Sequence, residues 1–196
     1  MEKWLHLGCG QRMLPGAVHI DMAEFPHIDF THDIRELPMI GAATCDGLYA
    51  SHCFEYFAPG EALAVLAEWK RVLKPGGLLR LAVPDFAALS ALYQETGDIS
   101  LVLGPLYGRW QPAAGRAAAP ASDAREQADI FHKTAYDQKS LSRLLSNAGF
   151  REVRLWDWRK VFTGAWLNFD NYSQAYYPHL DKDKGRLLSL NLEGLA

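Results

Sequence analysis

The stretch EALAVLAEWKRVLKPGGLLRLAVPDF, residues 61–86, carries two hydrophobic periods in succession. In its first half Ala62, Val65, Leu66, Trp69 and Val72 recur at helical spacing on one face, and Glu61, Glu68, Lys70 and Lys74 fall mostly off it. The spacing predicts a helix over 61–74. Pro59 sits at its entry, where a missing N–H costs little. Lys74-Pro75-Gly76-Gly77 ends it with a cation at the negative end, a breaker, and glycines free to turn left-handed. LLRLAV, 78–83, then runs nearly unbroken in apolar residues. That is the pattern of a strand buried on both faces in the middle of a parallel sheet.

The same alternation extends both ways. Upstream, residues 4–7, 17–21, 27–30 (HIDF) and 46–50 (DGLYA) read as short strands with glycine and polar punctuation. Downstream, Pro84-Asp85 opens a helix with Phe86, Leu89, Leu92 and Tyr93 on one stripe and Gly97 at its close. Asp137 caps another through Ala148, which Gly149 terminates. REVRLWDW (151–158) and LLSLNLEG (187–194) read as the last strands. Strands alternating with helices predict a doubly wound α/β sheet, whose ligands bind beyond the carboxyl ends of the strands. The expected organisation is one domain over 1–196. It carries a flexible Ala/Gly/Pro-rich insertion at about 108–127 and an aromatic, irregular segment at about 159–186.

Composition excludes several classes. Of 196 residues 49% are hydrophobic, enough for a substantial core, and a net charge of −3 provides no broad basic field for nucleic acid or anionic lipid. Cys9, Cys45 and Cys53 form no CxxC pair, which argues against a disulfide framework or a cysteine zinc site and for reduced thiols in the cytoplasm. No apolar run approaches the ~18 residues of a membrane span, and no signal peptide is expected.

The polar residues that bear chemistry cluster after strands. Gly8 and Gly10 follow the first, where glycine admits a tight turn and close approach of a ligand to the main chain. Asp21 ends the second, where a carboxylate suits a ribose diol or simply a solvated turn. Gly8 and Asp21 are 13 residues apart, and Met13 stands where GxGxxG needs its last glycine, so the nicotinamide-dinucleotide fingerprint is not met. Asp33 suits an adenine amino group beside the Ile34 N–H, or a turn. His52 and Glu55 lie after the fourth strand, in SHCFEYF. His27, Asp29, His32 and Asp33 crowd one loop, but a strand splays neighbours to opposite faces, so no metal site is expected.

Taken in order, LHLGCG, HID, HDIRELP, CDGLYASHCFEYF and EWKRVLKPGGLLRLAVPD resemble the class I S-adenosylmethionine-dependent methyltransferases. RVLKPGGLLRLAVPDF is the most specific of these segments, and the resemblance covers residues 4–95 best. The tail resembles a subgroup of predicted methyltransferases linked to surface polysaccharide synthesis. The resemblance implies a seven-stranded Rossmann-like sheet with an antiparallel edge hairpin, and S-adenosylmethionine as cofactor. Gly8 and Gly10 would approach its methionine part, Asp21 its ribose, and Asp33 with Ile34 its adenine. Ser51 and His52 would line the floor. The chain departs from the family at His6, Arg12 and Tyr56. Arg12, where a third glycine is common, would serve as a cationic partner of the cofactor carboxylate.

Methyl transfer needs a positioned acceptor and, for a hydroxyl, a proton acceptor. Candidates are His132 in FHKTAYD, Asp85, which reads more readily as the cap of the helix starting at Phe86, and His52. Tyr172, Tyr176, Tyr177 and His179 suit stacking on a sugar, core packing, or the interface of a homodimer. The expected partner is a small hydroxyl- or amine-bearing acceptor, a sugar among them. A non-catalytic cofactor-binding protein that retains the fold, and a nicotinamide-dependent oxidoreductase, are the alternatives.

Overall fold

The computed structural model describes residues 2–108, 131–166, 174–179 and 181–196. Its sheet grows outward from β1 (Trp4–Leu7), which pairs in parallel with β2 (Ala17–Asp21) on one side and β4 (Cys45–Ser51) on the other. β3 (Phe30–Thr31) adds to β2, and β5 (Leu73–Pro84) to β4, both parallel. β9 (Ser189–Leu195) then enters antiparallel between β5 and β6 (Arg151–Leu155). The order β3-β2-β1-β4-β5-β9-β6 is the predicted seven-stranded, mostly parallel sheet, with the antiparallel pair β9 and β6 on its edge. β7 (Tyr176–Tyr177) and β8 (Arg186–Leu187) form a separate antiparallel pair, inserted in the chain between β6 and β9.

Both faces of the sheet are covered. On one, α1 (Ala62–Val72) and α4 (Gln138–Asn147) bring Leu66, Trp69, Leu141 and Leu145 against Leu5, Leu7, Ile20, Leu48, Leu79 and Leu81. On the other, Trp156, Trp158 and Phe162 close over Trp4, Tyr49 and Ala82. α2 (Phe86–Thr96) and α3 (Ser100–Tyr107) build a third cluster on Leu89, Leu92 and Val102. The last strand is locked electrostatically as well: Glu193 of β9 accepts from Arg80 of β5 at 2.9 Å and from Arg154 of β6 at 2.8 Å.

Boundaries differ from the sequence reading where side chains found better partners. α1 stops at Val72, because Lys74 precedes Pro75 and is pushed out of the helical region; β5 begins at Leu73, ahead of the break. The third strand shrinks to Phe30–Thr31. Asp29 bends away to accept the His19 N–H at 2.8 Å, and the His27 ring packs edge-on against His19. β6 ends at Leu155, after which Trp156 and Trp158 turn into the core, the latter on the short α5 (Trp158–Val161). Ser100–Tyr107 is a helix that composition alone did not reveal. It ends at Gly108 with φ 76°, and the rest of the predicted insertion, 109–127, lies outside the described residues. No helix among the described residues is long and apolar enough to cross a membrane.

A row of histidines crosses β1 and β2. His19 Nε2 accepts the Leu14 N–H at 2.8 Å, its Nδ1 lies 3.4 Å from Asp29, and its ring contacts both His6 and His27. Burial drives the pKa of His6 well below the imidazole range and that of His19 below it as well. Both are therefore neutral in the fold, whereas the unfolded chain takes up protons below about pH 6.5. Stability is fully present above that value and is lost as the pH falls toward the folded-state values. The melting temperature followed by circular dichroism is expected to drop between about pH 7.5 and 5.5. A flat profile would show that these imidazoles stay hydrated.

Candidate active site

The site lies at the carboxyl ends of β1, β2, β4 and β5. β1 runs out at Leu7, and the Gly8 N–H is held by the Ile20 carbonyl at 2.9 Å. Gly8 has φ 59° and Gly10 φ 53°, both left-handed. A Cβ on Gly8 would stand 2.5 Å from the Cys53 Cβ, so the loop runs tight against the residues after β4. A Cβ on Gly10 would meet nothing within 4 Å, because that side opens into the cleft. Asp21 fastens the loop to the end of β2: one carboxylate oxygen accepts the Gly10 N–H at 2.7 Å and the other the Ala23 N–H at 2.8 Å. Asp33 accepts from the Arg35 guanidinium at 2.6 Å and from the Arg35 N–H at 2.9 Å. Arg35 also reaches Glu61 at 3.2 Å and lies over the Phe57 ring. Ile34 is buried, and its carbonyl accepts from Trp69 Nε1 at 2.7 Å, which ties this loop to α1.

Two chambers share Gly8, Gly10, His52 and Tyr56 as a common wall. One, about 510 Å³, contains Asp21, Asp33 and Ile34. The other, about 640 Å³, contains Arg12, Ser51, Glu55 and His132, with Gln174 and His179 at its far side. The structure thus assembles most of the predicted site residues. Asp85 stands apart: its carboxylate accepts the Ala87 N–H at 3.0 Å and caps α2, and it lines neither chamber. Tyr176 is a core residue whose hydroxyl accepts from Trp158 Nε1 at 2.9 Å, and Tyr177 packs on the α2–α3 cluster. Tyr172 falls outside the described residues. Among the described residues no group of histidine, cysteine and acidic side chains is arranged to hold a metal.

The two candidate histidines are already engaged. His52 adopts φ 51°, places Nε2 at 2.8 Å from Ser189 Oγ, and has Nδ1 3.5 Å from Glu55. His132 places Nδ1 2.9 Å from the Pro105 carbonyl and Nε2 3.6 Å from the same Glu55 oxygen, with Tyr56 edge-on to its ring at 4.7 Å. Both imidazoles therefore converge on Glu55, which sequence reasoning placed at the right end of the sheet without assigning it a role. The signal was the i,i+3 spacing from His52, which the turn Phe54–Tyr56 converts into a shared face. Burial lowers the His132 pKa, raises that of Cys53, and pushes the Cys9 thiol and the Tyr56 hydroxyl up to about 12. Neither of these cysteines is a thiolate nucleophile at neutral pH.

The sequence of residues 15–81 matches the family model described as a methyltransferase domain. No curated protein sequence matches the chain. Among solved structures, a SAM-dependent methyltransferase from Archaeoglobus fulgidus superposes with a TM-score of 0.56 at 14% identity, over 100% of this chain and 86% of that one. The 1,6-didemethyltoxoflavin-N1-methyltransferase of Burkholderia thailandensis, solved with 1,6-didemethyltoxoflavin and S-adenosylhomocysteine bound, gives 0.55 at 16% identity, over 98% and 70%. A SAM-dependent methyltransferase from Methanosarcina mazei gives 0.55 at 15% identity, over 99% and 92%. Residues 15–81 are thus similar to a methyltransferase domain, and the whole chain shares the fold of these solved S-adenosylmethionine-dependent methyltransferases.

Proposed function

We propose that the chain is an enzyme that transfers a methyl group from S-adenosylmethionine to a small hydroxyl- or amine-bearing acceptor, with sugars among the hydroxyl candidates. The observation that carries this reading is the paired cleft. One chamber joins a glycine turn, a ribose-type carboxylate and an adenine-type loop, and it opens past Gly8 and Gly10 into a second chamber large enough for an acceptor. The residues fit the cofactor. Gly10 leaves open space where a side chain would intrude, and Asp21 sits at the tip of β2 with its carboxylate on the cleft.

In this reading Asp21 holds the ribose hydroxyls and Asp33 with the Ile34 backbone holds the adenine. Arg12 offers a cation to the cofactor carboxylate, in place of a helix dipole that the short loop between β1 and β2 cannot provide. The cofactor, when bound, supplies an electrophilic methyl carbon on a sulfonium, so no protein nucleophile is required. The chain's residues orient the acceptor, exclude water and manage its proton.

Calorimetric titration of S-adenosylmethionine, S-adenosylhomocysteine and NAD into the protein tests this. The adenosyl ligands are expected to bind in the micromolar range, about −8 kcal/mol, and NAD not at all. Binding of neither adenosyl ligand would overturn the assignment; binding of NAD alone would favour an oxidoreductase.

A further inference from the structure

Glu55 is completely buried, and among the described residues neither of its carboxylate oxygens receives a hydrogen bond. Such a carboxylate is costly to keep, because a buried charge without donors forfeits its hydration and gains nothing in return. The groups around it do not relieve this. The Pro105 carbonyl can only accept, so His132 Nδ1 must carry the hydrogen of that contact. In the neutral ring, which burial favours, Nε2 is then a bare lone pair. It faces the Glu55 carboxylate at 3.6 Å, acceptor toward acceptor. On the other side Ser189 Oγ accepts the Ala175 N–H at 2.8 Å and has its own hydrogen to give to His52 Nε2. That leaves His52 Nδ1–H directed toward Glu55, but at 3.5 Å. Among the described residues the second carboxylate oxygen has no such neighbour.

The chamber therefore presents three acceptors at one place: two oxygens of Glu55 and Nε2 of His132. A hydroxyl has one hydrogen to offer them. An alkylammonium has three, and the charge to match. Resting on the methyltransferase reading, we propose that this chamber takes an acceptor bearing a primary amine, docked as its ammonium on Glu55. Glu55 is also the proton acceptor. An N–H bond of the ammonium breaks, an O–H bond forms on the Glu55 carboxylate, and the nitrogen keeps the electron pair. The amine becomes neutral and nucleophilic, the carboxylate becomes a neutral acid, and the net charge of the pair is unchanged. His132 and His52 are positioning residues that hold the carboxylate from either side.

The test uses two probes of one shape, benzylamine and benzyl alcohol. Each is titrated by ligand-observed NMR into the protein loaded with S-adenosylhomocysteine, for wild type, Glu55→Gln and Glu55→Asp. The wild type is expected to prefer the amine by roughly tenfold or more (about 1.4 kcal/mol). Glu55→Gln should abolish the preference, Glu55→Asp should retain much of it, and affinity for S-adenosylhomocysteine should stay within about twofold throughout. Equal binding of the alcohol in wild type overturns the inference, as does a preference that survives Glu55→Gln. A parallel loss of S-adenosylhomocysteine binding in Glu55→Gln also overturns it, because the carboxylate would then serve the cofactor's own ammonium. If Glu55→Gln fails to fold, the wild-type and Glu55→Asp comparison decides. Failure of the wild type to bind S-adenosylhomocysteine is a different outcome: it removes the methyltransferase reading itself.

Discussion

Asp21→Ala is expected to weaken S-adenosylhomocysteine binding roughly 10- to 150-fold while leaving the chain folded. The estimate follows from removing a charged acceptor, about 1.5–3 kcal/mol per hydrogen bond to an ionised group. Two losses act together. The proposed ribose partner disappears, and the Gly10 and Ala23 N–H groups lose the carboxylate that fastens the glycine loop to the tip of β2. The loop is half exposed, so water can satisfy those donors at modest cost to stability. Asp21→Asn separates the contributions. Its amide oxygen can keep one loop N–H, but its NH₂ confronts the other donor, so an intermediate loss is expected. Calorimetry with a parallel melting curve checks both variants. An unchanged dissociation constant in Asp21→Ala would remove the ribose role and leave Asp21 as a loop fastener only.

Gly8→Ala and Gly10→Ala are expected to fail in opposite ways, although the two glycines are two residues apart with nearly equal φ. At Gly8 the new methyl would overlap the Cys53 Cβ at 2.5 Å and Sγ at 2.9 Å, in a stretch where Cys53 is buried and cannot retreat. Overpacking and a left-handed alanine together cost about 2–5 kcal/mol, visible as a fall in melting temperature of several degrees or more. At Gly10 only the backbone term applies, about 1–2 kcal/mol. Its methyl lies where both chambers meet, so ligand affinity falls while the fold survives. Thermal melts and S-adenosylhomocysteine titrations on the same two variants distinguish these outcomes. Equal melting temperatures would contradict the packing described at Gly8.

The fold was legible in the sequence because its defining segment states two periods and their junction within 26 residues. Helical spacing up to Val72, Pro75-Gly76-Gly77, and the buried run from Leu78 leave few architectures open. The chamber lined by Gly8, Gly10, Asp21 and Asp33 followed, since all four stand at or near strand ends and strand ends are visible in one dimension. The half of the cleft around Glu55 was legible only in part: His132 and His52 were candidates, but their convergence on Glu55 was not. Glu55, His132 and Pro105 are brought together by α3 and by the chain returning at 131–136, and nothing in local spacing records a contact across 27 or 77 residues. Asp85 illustrates the reverse case: its position after β5 suited either catalysis or capping, and only the hydrogen bond to Ala87 assigns it a task. The short third strand was misjudged for a similar reason, because Asp29 serves His19 from a distance of ten residues.

The placement of β9 has a consequence for synthesis. β9 is not an edge strand but an interior one, wedged between β5 and β6. A nascent chain with Ser189–Leu195 still in the ribosomal tunnel would leave β5 and β6 facing each other across a gap one strand wide, each with an open row of backbone donors and acceptors. The same missing segment includes Ser189, which holds His52, and Asn191, whose amide donates to Gln174. The wall of the larger chamber is thus set only once β9 has docked. A chain in which β9 has not yet docked can already form the part of the cleft built on β1, β2 and β4, while the wall steadied by Ser189 and Asn191 is still open.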